Sequence, residues 1–152
     1  MQWYTASRSL ILEAYMDMKD YGPQPYVVDI EDLTKENDKF RVAKWTGTNM
    51  QMTVMAIEPN GEVGLEVHDD HDQFLRIEQG VGKVVMGPDE DSLDQQWEVE
   101  DDFAIFVPAG TWHNIINTGD EPLKLYSIYA PGEHPHSTVH NTFEESEADH
   151  DH

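Results

Sequence analysis

Glu66-Val67-His68-Asp69-Asp70-His71-Asp72-Gln73, running on to Gly80, and Pro108-Ala109-Gly110-Thr111-Trp112-His113, running on to Asn117, are the stretches that decide the fold. Alternate residues of a β-strand face the same side, so a strand from Gly64 to His68 points Glu66 and His68 the same way. The loop at residues 69–72 then turns the chain and Gln73 opens the next strand, through Glu78, so one turn gathers three donors. In the second stretch, Phe103 to Val107 reads as an apolar strand, Pro108 to Thr111 as a turn and Trp112 to Asn117 as a strand, with His113 just past the turn. Imidazole is the commonest protein ligand for first-row metals, and a carboxylate or amide oxygen can complete the shell. The two stretches therefore predict a centre for one divalent transition metal (Mn, Fe, Zn or Ni), with Glu66, His68, Gln73 and His113 as metal ligands inside a small β-barrel.

Some roles stay open at this level. Glu66 reads as a metal ligand, as a residue that orients a ligand, or as a catalytic general base beside the metal. His71 is the rival that would replace Glu66 or Gln73, while Asn117 reads as a strand-end hydrogen-bonding residue. Leu75 and Ile77 share the parity of Gln73 and face inward, and Arg76 does not. Met52, Val54, Phe106, Ile115 and Tyr129 join Leu75 and Ile77 as expected core or cavity lining. Arg41 and Lys44 are basic residues that another strand could bring to the site. His134, His136 and His140 follow the last core strand, where a segment folded over the barrel mouth would carry a catalytic acid or base, with His134 the candidate.

At these residues the sequence resembles the cupin superfamily, whose motifs read G-x5-H-x-H-x3–4-E-x6-G and G-x5-P-x-G-x2-H-x3-N. The spacing from Glu66 to Gly80 and from Pro108 to Asn117 fits without a gap. Glu66 stands where the family has its first His, Gln73 where it has Glu, and Asp102 where the second motif opens with Gly; Gly61 falls one residue off the first Gly. His68 and His113 are the ligands carried over without substitution. The resemblance implies an all-β fold, a cupin jelly-roll β-barrel, and small single-domain cupins of this look are associated with sugar (mannose-6-phosphate) isomerase-like activity. It thus implies a metal-dependent enzyme, an isomerase or epimerase, acting on a small hydroxy-carbonyl or sugar-like substrate. A non-catalytic small-ligand module is the alternative. A ferrous-iron dioxygenase fits less well, because such cupins generally keep three His.

A chain of 152 residues suits one domain. With no cysteine, thiolate metal sites and Cys nucleophiles are excluded. Nine basic against 31 acidic residues, a formal −22, argue against nucleic acid and anionic membranes as partners. The start of the chain lacks the features of a signal peptide, which gives the cytoplasm as the expected location. The expected layout is an N-terminal helix and arm (1–39), the barrel (40–130), a lid-like segment (131–143) and a disordered acidic tail (144–152). Within the arm, Ser7 to Lys19 reads as a short helix and residues 26–30 as a strand or an extended edge segment that could pair with a second copy in a homodimer.

Overall fold

The computed structural model describes residues 17–149, so the helix expected from Ser7 lies largely outside the described residues. Among the described residues the chain forms α1 (Ile30–Glu36), β1 (Arg41–Thr46), β2 (Gln51–Ile57), β3 (Asp72–Gln79), β4 (Val81–Gly87), β5 (Gln95–Glu100), β6 (Ala104–Val107), β7 (Trp112–Asn117), β8 (Leu123–Ala130), β9 (Val139–His140) and α2 (Phe143–Ala148). The strands make two antiparallel sheets, one ordered β6-β3-β8-β2-β1-β9 and the other β5-β4-β7. Residues 62–66 run beside β7 through bridges from Glu62 to Ile116 and from Glu66 to His113. The strand expected from Gly64 to His68 is therefore a looser segment, bent at Gly64, whose φ of +109° lies in the region that favours glycine.

Strand parity sorts the side chains into two cores. On the inner face Met55, Ile57, Leu75, Ile77, Leu123 and Leu125 meet Val84, Met86, Val99 and Ile115 of the opposite sheet. The outer face of the large sheet carries Val42, Val54 and Tyr126, roofed by Leu33 of α1 with Val28 and Ile30. Met52 and Val54, expected to line the cavity, thus face away from it, and Phe106 is 71% exposed on the outside. Both faces of β2 are apolar, so its sequence does not announce which side is the interior.

The arm also differs from expectation. Among the described residues, 26–29 form no strand, and Asp29 caps α1 by accepting from the Asp32 amide at 3.1 Å. Val28 of this segment and Ile30 at the start of α1 pack on the outer face of the large sheet.

The acidic tail is structured as far as Asp149. Thr142 and Glu145 form a reciprocal capping box at the start of α2. Phe143 packs edge-on against Phe40 at 5.7 Å, and Ser146 is buried. Low apolar content misleads here because one aromatic and one cap suffice for so short a helix when a buried partner waits. Thr142→Ala is expected to lower unfolding free energy by about 1 kcal/mol, read as a shift in the urea midpoint with an unchanged slope.

Candidate metal centre

The backbone of β7 sets the first two donors side by side. Glu66 and His113 exchange both main-chain hydrogen bonds, at 3.0 and 2.9 Å, so they stand directly opposite and their side chains share the inner face. His68 follows two residues on, and its carbonyl accepts from the amide of Gly110, the turn residue with φ +79°. One atom from each of Glu66, His68 and His113 lies within 4.8 Å of the others.

The surrounding hydrogen bonds leave lone pairs aimed into this space. His113 Nδ1 lies 3.0 Å from the Thr111 carbonyl, which fixes the N–H on Nδ1 and leaves Nε2 as a lone pair, buried and without a partner. Gln73 Nε2 donates to Ser127 Oγ at 2.8 Å, which orients the amide and leaves Oε1 buried and unpartnered. Gln73 is paired in register with Tyr129, whose ring packs 5.7 Å from that of His68. Orphaned buried acceptors are uncommon in folded proteins, and a cation accounts for them. The two imidazoles and the carboxylate form a donor set for a first-row divalent ion.

Charge is concentrated here. Burial would raise the Glu66 carboxyl, but its hydrogen bond to His68 and the positive Arg41 outweigh it and bring it down to about 2. His68 Nε2 lies 3.0 Å from Glu66 Oε2 and its Nδ1 3.5 Å from Glu133 Oε2. Burial disfavours its charge, yet the two carboxylates push it up to about 9. His113 is held below the usual imidazole range, chiefly by burial. Without a cation, then, His68 carries a proton that a metal ion must displace.

Of the other residues singled out, His71 takes a different part. Its Nδ1 lies 2.7 Å from Asp70 and its Nε2 3.0 Å from the Gly132 carbonyl, so it ties the 132–133 segment down. Asn117 donates to the carbonyls of Ile57 and Glu121 and accepts from Gly119, as a strand-end residue does. Lys44 reaches Asp17, away from the centre. Arg41 does come in, with Nη2 3.8 Å from Glu66 Oε1. His134 also reaches the site: together with Arg41, Glu66, His68, Glu133 and His140 it lines a cavity of about 230 Å³ beside the donors. Burial and the Arg41 charge push its imidazole down to about 3, so it is neutral at ordinary pH.

Glu133 went unnoticed in the sequence although it sits one residue before the candidate His134. Its carboxyl is held low, first by the hydrogen bond to His68. A carboxylate in a Pro-Gly turn carries no periodic signal, and its role depends on the turn folding back over the barrel.

Comparison with known proteins agrees with this architecture. The family described as Cupin domain matches residues 53–129. Uncharacterized protein YrkC of Bacillus subtilis (strain 168) is 59% identical over 125 residues, covering 82% of this chain and 67% of its own. An uncharacterized protein of Acanthamoeba polyphaga mimivirus is 36% identical over 113 residues, covering 74% and 69%. The crystal structure of the Bacillus halodurans protein BH2720 superposes with a TM-score of 0.85 at 57% identity, covering 86% of this chain and 98% of that one.

Proposed function

Because the chain belongs to the cupin family, we propose that it is a metal-dependent enzyme that isomerises or epimerises a small hydroxy-carbonyl compound. The observation that carries this reading is the convergence of Glu66, His68 and His113 within 4.8 Å, with His113 Nε2 buried and without a partner and with Glu66 and His68 lining a cavity. Glu66, His68, Gln73 and His113 would hold the ion. Bound there, a divalent cation supplies Lewis acidity towards a carbonyl or hydroxyl oxygen.

The remaining work falls to the chain. Glu66, ionised and committed to the donor cluster, offsets part of the ion's charge. Glu133 is the carboxylate left at the cavity wall, and in this reading its Oε2 takes a proton from the substrate carbon and returns it. His134, neutral and buried, donates or accepts a hydrogen bond at Nε2 without storing charge. His71 holds the 132–133 segment and with it the position of Glu133. The donor set has two His and not three, which favours this polar chemistry over oxygen chemistry at ferrous iron.

Elemental analysis of protein purified without chelator is expected to find about one divalent ion per chain. Small aldoses and ketoses incubated with the loaded protein in D2O are then expected to gain deuterium at the carbon beside the carbonyl, and a Glu133→Gln variant to lose that exchange while keeping its metal. Stoichiometric metal with no exchange on any substrate would leave a binding module and defeat the enzymatic reading.

A further inference from the structure

The cavity beside the candidate metal centre is lined by a buried arginine with three of its five N–H donors idle. Arg41 is 1% exposed. Its Nη1 donates to Ser146 Oγ at 2.7 Å and lies 3.1 Å from His140 Nδ1, so β1, β9 and α2 together clamp one side of the guanidinium. His140 is in turn braced by Asp149 at 2.8 Å. Nε and Nη2, which share the other edge of the planar group, have no hydrogen-bond partner. Glu66 Oε1 stands 3.8 Å from Nη2, beyond hydrogen-bond range. A second idle group lines the same cavity: His134 Nε2 is buried and unpartnered, while Gln51 fixes the His134 backbone through bonds of 2.9 and 2.8 Å.

Leaving a buried guanidinium half-satisfied is costly unless an anion completes its shell. Glu66 does not complete it, because its nearer oxygen stays 3.8 Å from Nη2. The Nε–Nη2 edge is a fork whose two parallel N–H bonds match a planar carboxylate. A cavity of about 230 Å³ has room for an acid of a few carbons.

We propose that the free edge of Arg41, with His134 Nε2, is a carboxylate subsite, so that the substrate of the neighbouring centre is a small hydroxy- or oxo-carboxylate. This deepens the proposed function and rests on it for the metal. The test is calorimetric titration of the Mn²⁺-loaded protein with three compounds of matched skeleton: glycerate, glycerol and glycerol 3-phosphate. Glycerate is expected to bind and glycerol to give no detectable heat. Arg41→Met is expected to weaken glycerate about tenfold to a hundredfold. Arg41→Lys, which keeps the charge and the fold but loses the fork, is expected to weaken it by about tenfold while leaving Mn²⁺ affinity within about threefold.

Equal binding of glycerate and glycerol, or glycerate affinity unchanged in Arg41→Lys and in a folded Arg41→Met, overturns the subsite. Tighter binding of glycerol 3-phosphate overturns the carboxylate assignment in favour of a phosphate. Should Mn²⁺ fail to bind the unaltered protein, the metal reading falls by itself. The same titrations on the metal-free protein then still decide the subsite, through the Arg41 variants.

Discussion

His113→Ala is expected to lower the affinity of the protein for Mn²⁺ or Zn²⁺ by about a hundredfold or more, since loss of a mere supporting partner of a ligand already costs ten- to a hundredfold. The imidazole is 2% exposed, and its Nε2 is presented by the Nδ1 bond to the Thr111 carbonyl. Alanine removes the lone pair without touching the paired backbone bonds to Glu66, so the strand register is kept. A chelator-competition titration reads the affinity, and a thermal melt of both metal-free proteins separates metal loss from misfolding. The metal-free variant is expected to melt somewhat lower, because truncation leaves a cavity. Unchanged affinity in a folded variant would remove His113 from the ligand set, and with it the case for a metal at this place.

Metal affinity is also expected to climb about tenfold per pH unit from pH 7 to about 9 and then level off. The sign follows from His68, whose imidazole is raised to about 9 between Glu66 and Glu133. Below that pH it holds a proton that the ion must expel, and above it the lone pair is free. Glu66, lowered to about 2, and His113, lowered by burial, have no proton to give in this window. Calorimetry at pH 7 in two buffers of different ionisation enthalpy should therefore show about one proton released per ion bound. No release at pH 7 would mean that His68 is not a ligand. In the metal-free protein the same raised pKa contributes stability that is present below the unfolded value of about 6.5 and lost as pH rises through about 9. Metal and proton thus stabilise the same cluster in turn.

The strands of the barrel were legible because their cues are local. Alternation in β3 placed Gln73, Leu75 and Ile77 on one face, and the turn signals at Gly80 and Gly110 marked where neighbouring strands begin. The outer roof was not legible. Met52 and Val54 are as apolar as core residues, and that they face outward follows from α1 packing over them. Likewise the acidic residues after Phe143 suggested a solvated tail, yet the buried Arg41 gives Ser146 a partner and the capping box holds the helix start. Among the described residues no helix is long and apolar enough to cross a membrane.

The candidate site divides along the same line. Glu66, His68 and His113, which the fold brings together, were singled out by spacing, because a period of two and one tight turn aim them the same way. Arg41, Glu133 and His140 depend on contacts between distant segments: Arg41 meets His140 and Ser146 across separations of 99 and 105 residues. By itself the sequence determined most of the barrel strands and their turns and picked out the side chains of Glu66, His68 and His113 that the fold brings together, since these follow from the backbone geometry of a few consecutive residues. Only the tertiary structure decided which charges surround those donors and which donors of Arg41 are left free, because burial and long-range pairing exist only once the 131–149 segment has closed over the barrel.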